Sequence, residues 1–419
     1  MEALLSSNPE SDTLVGNLKY NLDPTGSYVQ QRRQSTTFSN VNSASPQGVK
    51  TITISLGSAS EWLVGKSCTL AMSINNTDTT NALLPATVKV HNLFSRCQLR
   101  LGSTLVEDTQ EYGKICELFS KIAHSPAKRI EEGHIGFGTA NVTTNPDKFL
   151  DSQHTPKTIA AGASKKIYMK FDMSGLLSQH RWIPLLALGG MGLTIQLTLS
   201  DTADAFCASA NGVTYSQSYS LQDIRMLADV VSLSSELQES YNSAMLSGQS
   251  LKICTKNFEV IKSYLPADSA GSFSIPISKN YTRLASLFAA FTKAEDTYTG
   301  TSKPITDNYF PTANSEDFEY YLQLGSKRVP DHPVRGTSEA WMRLMNGTGL
   351  SESLHSTGID QEAYKSNCFC LVQDMERLAS VMASGEDVST GQTLFLQVKN
   401  MGSTSSNVPR VAYLIAHFE

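Results

Sequence analysis

The stretch Ser60 to Ser67, SEWLVGKS, comes nearest to a motif with chemistry of its own. A Gly-Lys-Ser end is what closes a phosphate-binding loop, where backbone amides wrap the phosphate and the lysine reaches it. Here the first glycine of that pattern is missing, and Trp62-Leu63-Val64 put bulk where amides would have to wrap. A turn between two strands suits these residues better. The eight histidines (91, 124, 134, 154, 180, 332, 355 and 417) include no HxH and no HExxH, and there is no GxSxG elbow. Asp and Glu are spread through loops, with no motif that would pair them for acid–base work. The seven cysteines (68, 97, 116, 207, 254, 368 and 370) are odd in number and form no CxxC pair. Cys368-Phe369-Cys370, read as strand, would put two thiols on one face. Buried reduced thiols of a protein made in a reducing compartment fit this usage better than a metal site. Triplets for N-glycosylation start at Asn75, Asn141, Asn280 and Asn346, near chance frequency in so Asn- and Thr-rich a chain. No catalytic residue, cofactor-binding residue or metal ligand is assigned, and the chain is expected not to be an enzyme.

Composition narrows the class further. Net charge is −5, so no general basic field draws nucleic acid or an anionic membrane. Arg96, Arg100, Lys327 and Arg328 read as solvated edges or inter-domain pairs ahead of nucleic-acid contacts. No run of about 18 apolar residues offers a membrane-crossing helix. Met1 to Leu18 lacks the charged-then-apolar pattern of a secretion signal. Charged residues are only 17% of the 419, and polar uncharged ones abound, which suits β-structure with polar outer faces.

The elements that would carry any site are mostly strands. Leu193-Thr-Ile-Gln-Leu-Thr-Leu199 alternates with period two, which points Leu193, Ile195, Leu197 and Leu199 to a core. A short helical segment, Ser174 to Gln179, precedes it. Residues 1–48 are polar, with one basic spot at Arg32-Arg33, and read as an arm: disordered alone, or ordered against a neighbour. Strands are expected at Val49 to Leu56, Trp62 to Ile74, Lys165 to Phe171 and Tyr219 to Leu233. Gly102-Ser103 marks a hairpin, and Glu111 to Ala123 carries a helical apolar stripe, read as core packing. Ser234 to Leu246 looks helical, with Ser235 as its cap, and residues 234–249 are taken as a linker. The second half has strands at Leu251 to Leu265, Ser272 to Ile277, Glu319 to Leu324, Phe369 to Gln373, Leu394 to Lys399 and Val411 to Phe418, and Tyr281 to Thr292 reads as strand or helix, with strand preferred. A helix spans Thr337 to Met345, after breaks at Pro330 and Pro333. Glu131 to Gln153, Ala203 to Ser218 and Glu295 to Asn314 read as long loops.

The two halves repeat each other. Leu99-Arg-Leu-Gly-Ser103 matches Leu322-Gln-Leu-Gly-Ser326, and a helical pattern follows each. Phe171-Asp-Met173 with Leu176 matches Gln373-Asp-Met375 with Leu378. Gly190 and Leu193 to Leu199 match Gly391 and Leu394 to Val398. The fold expected is all-β with short helices: two tandem antiparallel sandwiches, residues 49–233 and 250–419.

These residues also carry a family resemblance. The run from His91 to Ser103, followed by Val106-Glu-Asp108 and Tyr112, resembles the first-domain core of double jelly-roll major capsid proteins of the PRD1–adenovirus lineage. So do Gly175 to Gln179, Ile183-Pro184-Leu185 and the strand from Leu193. Leu324 to Pro330, leading to Glu339-Ala-Trp341, is similar to the corresponding second-half segment, with Polinton-like viruses as the nearest flavour. The resemblance implies two eight-stranded jelly rolls, a homotrimer serving as a pseudo-hexameric capsomer, and an icosahedral shell around double-stranded DNA. It implies a place in the virion, with neighbouring capsomers, penton and minor capsid proteins as partners and no sequence-specific nucleic-acid binding. The long loops would be outer decoration or inter-subunit contacts. The alternative is a tandem β-sandwich carbohydrate-binding protein, which would show aromatics on exposed loops. A β-sandwich hydrolase and a minor capsid or vertex protein fit the residues less well.

Overall fold

The computed structural model describes residues 29–418 except 58–59, 140–155, 211, 250, 252, 254, 267–270, 295–297, 299–302, 311–315, 351–356, 377–384, 390–392 and 403–408. Chain order in the first half is β1 (Val29–Phe38), β2 (Thr51–Leu56), β3 (Glu61–Leu63), β4 (Thr69–Asn76), β5 (Phe94–Leu101) and β6 (Thr104–Gln110). Then come α1 (Tyr112–Ala123), α2 (Pro126–Gly133), β7 (Ser164–Lys170), α3 (Gly175–Ser178), β8 (Leu193–Leu199), β9 (Tyr219–Leu233) and α4 (Ser235–Leu246). The second half has β10 (Asn257–Tyr264), β11 (Phe273–Ile277), β12 (Leu284–Thr292), β13 (Glu319–Leu324), β14 (Lys327–Arg335), α5 (Gly336–Gly347), α6 (Gln361–Asn367), β15 (Leu371–Asp374), β16 (Leu394–Lys399) and β17 (Val411–Phe418).

Each half pairs its strands in the same way. One sheet of the first half runs β2-β8-β5-β6, and its counterpart in the second runs β11-β16-β13-β14. The opposing sheets run β1-β9-β4-β7 and β10-β17-β12-β15, with β3 added to β9 in the first half. All of these pairs are antiparallel, and the first strand of each unit lies beside the last, which is jelly-roll wiring. The register repeats too. Leu193 sits between Leu56 and Leu101, and Ile195 between Ile54 and Leu99. In the second half Leu394 sits between Ile277 and Leu324, and Leu396 between Ile275 and Leu322. Leu99 and Leu322, and Leu193 and Leu394, are therefore equivalent strand positions, whereas Phe171 lies just past the end of β7 and Gln373 inside β15. Both hairpin turns use a glycine in the left-handed region, Gly102 at φ 60° and Gly325 at φ 57°. Leu378 and Gly391 of the repeat lie outside the described residues.

Alternation becomes burial directly. Along β8, Leu193, Ile195 and Leu197 are wholly buried and the residues between them half-buried. Leu and Ile rows from facing sheets fill one core per unit.

Several expectations need correction. Residues 29–44 are not an arm of this chain: β1 pairs with β9, and Ser43–Ala44 adds a short ladder to the same strand. Arg32 pairs with Asp229 and Arg33 with Glu61, so the basic spot is neutralised within the sheet. Residues 1–28 lie outside the described residues. Trp62 to Ile74 is two strands, β3 and β4, separated by a helical turn at Gly65–Ser67. Pro330 and Pro333 do not break the chain; they lie inside β14. Among the described residues that strand pairs only with β13, and its register jumps from Val329 to Val334, so neither proline owes the ladder a donor. Cys368 and Cys370 precede β15 rather than sharing a strand face. Ser234, not Ser235, is the residue before α4, and its side chain caps nothing. Ala203 to Ser218 holds a helical turn and three two-residue strands, and α6 was not foreseen.

Candidate assembly interface

No residue was assigned a catalytic or ligand-holding role, so the informative site is the seam between the units. It is built on α1. The stripe on this helix has two destinations. Tyr112 and Cys116 pack into the first core, whereas Ile115, Leu118 and Ile122 are wholly buried in the second. Phe119 adds ring contacts to Phe258 and Phe288, at centroid distances of 5.5 and 5.0 Å. Periodicity identified a buried helix; it carried no information on whose core would receive it.

The same helix sends two cations across the seam. Lys114 Nζ donates to the carbonyls of Pro304 (2.7 Å) and Asp307, and Lys121 Nζ to the carbonyl of Thr306 and to Asn367 Oδ1 (2.9 Å). Burial lowers the Lys114 ammonium to about 7, with Lys121 pushing the same way and Asp307, Glu117 and Glu111 opposing. Burial lowers Lys121 as well. Segment 303–310, part of a loop expected as outer decoration or inter-subunit contacts, is thus drawn inward: Asn308 and Phe310 are buried in the second unit. Residues 295–297, 299–302 and 311–314 of that loop, and 140–153 of the loop after α2, lie outside the described residues. Glu117, on the same helix, pairs with Arg129 of α2 at 2.8 Å, with both side chains nearly inaccessible.

A second joint lies at the short helix α3. Ser174 caps it, accepting from Leu177 N (3.1 Å), and donates to Glu107 Oε2 (2.7 Å). Leu176 N donates to Glu107 Oε1 at 2.6 Å. Burial raises the Glu107 carboxyl, and these donors limit the rise. Gly175 then meets the second unit so closely that a Cβ there would lie 2.0 Å from the Lys256 carbonyl oxygen. Lys256 in turn pairs with Glu376, and Lys262 with Glu111 at 3.7 Å.

The residues weighed for chemistry fall elsewhere. In SEWLVGKS, Ser67 Oγ donates to Val64 O (2.6 Å) and accepts from Asp229 N (2.7 Å), while Lys66 lies 3.2 Å from His180 Nε2. The stretch is a turn between β3 and β4. His91, Lys89, Glu132, Asp172 and His124 meet near α2, a grouping the sequence did not suggest. Lys89 pairs with Glu132 at 2.6 Å, and His91 Nε2 is held on Lys170 O at 2.8 Å. Burial, followed by Lys89, lowers the His91 imidazolium. Its members close on one another around a cavity of only about 120 Å³. Among the described residues no three His, Cys, Asp or Glu are grouped to hold a metal. Cys68, Cys97, Cys116, Cys368 and Cys370 are free thiols, and all six described cysteines are buried; burial raises these thiols, Cys68 and Cys370 to about 12, which removes nucleophilic character. Cys254 lies outside the described residues. Arg96 pairs with Asp108 in its own hairpin, Lys327 with Glu386, and Arg328 lies over the Tyr321 ring.

No protein-family model and no curated protein matches the chain. Solved structures do. The crystal structure of PBCV-1 VP54, fitted into a reconstruction of the virophage Sputnik, matches with TM-score 0.62 at 10% identity, over 93% of this chain and 94% of that one. The Faustovirus major capsid protein matches with TM-score 0.60 at 9% identity, over 96% and 92%. The Sputnik virophage structure solved by cryo-EM gives 0.55 at 10% identity, over 96% and 89%. At such identity the likeness is one of backbone path, and it spans both units and the seam. The chain has the double jelly-roll fold of these viral major capsid proteins.

Proposed function

We propose that the chain is a viral major capsid protein, acting by self-assembly and not by catalysis. Three copies form a pseudo-hexameric capsomer in which six similar units occupy six corners, and capsomers tile an icosahedral shell around double-stranded DNA. The observation that carries this reading is the repetition of one sheet order in one chain, joined by a shared helix. A trimer of such chains meets a six-cornered lattice position without needing six subunits. Units fixed by α1 and its two lysines hold their mutual angle, as a tile must. Residues 29–233 serve as the first unit, α4 as the linker and 250–419 as the second. Neighbouring capsomers, penton and minor capsid proteins are its partners, and the virion its location. The free buried thiols suit synthesis in a reducing compartment. The test is light scattering of purified protein at micromolar concentration. A species of roughly three times the 45.6 kDa chain mass is expected; a strict monomer would count against the reading. A carbohydrate-binding protein would instead give saturable signals on a glycan array.

A further inference from the structure

One surface of the first unit remains apolar and wet. A groove of about 570 Å³ lies between α4 and the edge formed by β3 and Ile183–Pro184. Trp62, Trp182, Leu237, Tyr241, Leu251 and Ile253 line it. Trp62 forms its floor, donating from Nε1 to Gln238 Oε1 (3.0 Å) and lying 4.9 Å from the Tyr241 ring. Trp182 is 37% exposed and Leu251 38%, and α4 buries none of its twelve residues. A helix that buries none of its own residues, seated over a tryptophan floor with Trp182 and Leu251 exposed beside it, is the form of an unfilled seat.

Three observations indicate what fills it. Leu233 also lines the groove, and β1 begins there, with Val29 opposite Leu233. Residues 1–28 therefore join the fold at the groove's rim. Their tether makes the local concentration of the segment on the order of millimolar, far above that of any free partner. Their composition is complementary: Leu14, Val15, Leu18 and Leu22 supply apolar side chains, and Glu2, Glu10, Asp12 and Asp23 stand against a single lysine, Lys19. Lys66 stands beside the groove, 3.2 Å from His180 Nε2, and His180 lines one end of it. We propose that residues 1–28 of the same chain dock in this groove, covering Trp182 and the inner face of α4. The proposal does not depend on the capsid reading, since a single chain suffices for it.

The test uses the full chain with a benzophenone amino acid in place of Leu18. After illumination, crosslinks are expected to peptides holding Trp182, Leu237 or Tyr241, in a band of single-chain mass on a denaturing gel. Leu237→Asp should reduce that yield about ten-fold or more, because docking would bury an unpaired charge; circular dichroism checks that the variant is folded. As a second readout, a Leu14→Asp/Leu18→Asp chain should show faster amide exchange in α4, with β8 unchanged. Crosslinks in a band of two-chain mass would put a second copy in the groove and overturn the proposal. So would crosslinks confined to other surfaces, or α4 exchange indifferent to the double substitution.

Discussion

Leu118→Ala tests whether the first half of the sequence supplies part of the second core. Leu118 is wholly buried among second-unit residues, although it is encoded more than a hundred residues before β10. Truncation leaves a cavity that β-sheet neighbours cannot collapse, and buried leucines lost in this way cost about 2–5 kcal/mol. Against the ~5–15 kcal/mol that holds a typical domain folded, that is a large fraction. Two packed units need not unfold in one step, so a single midpoint is a poor measure. Amide exchange read by mass spectrometry resolves them instead. Exchange should accelerate in β12 and β17, by one or more factors of ten if opening carries the full cost. Cys116→Ala, two residues earlier and facing the first core, should have its main effect on β5 and β8. If Leu118→Ala accelerated exchange only in the first unit, the assignment of α1 to a shared wall would be wrong.

The two rows of β8 should behave differently. Ile195→Asp should cost at least about 4 kcal/mol by burying an unpaired charge between Ile54 and Leu99, whereas Thr194→Asp, half-buried beside Arg100, should cost under about 1 kcal/mol in urea unfolding. Lys114 is held near 7 in the folded chain against an ordinary 10.5. Between those values the unfolded chain binds the extra proton, so stability should rise with pH through that window, by an amount on the order of a few kcal/mol. Lys114→Met should remove most of this slope in denaturation at stepped pH, leaving the part due to Lys121. His417, stacked on Phe258 at 4.6 Å, is lowered by burial to about 4 from 6.5. Its contribution is present above 6.5 and lost as pH falls toward 4, so His417→Phe should flatten the acid limb of the stability profile.

Strand content was readable wherever one face met a core and the other met water. β13, β16 and β17 have the expected limits because their alternation or apolar runs mark a buried position. β1 was missed because an edge strand pairs through its backbone. Its QQRRQSTT run buries almost nothing, and no pattern of side chains betrays a ladder made by Leu233 and its neighbours. β14 was missed because its prolines signal a break, although an edge strand with a register jump accommodates both. The repeat was visible because equivalent core positions constrain residue type in both halves. The seam was not. Lys114 and Lys121 read as the polar face of a helix, and only the approach of residues 303–307 and 367 turns them into buried donors. A helix stripe states that something covers it, and tertiary structure decides what.

The central claim is that one chain supplies two equivalent units to a six-cornered particle. Electron microscopy of purified, negatively stained protein tests it most directly. Class averages should show three-fold particles with a pseudo-hexagonal outline, six lobes from three chains. Isolated two-lobed particles, or rings of any other subunit number, would contradict it.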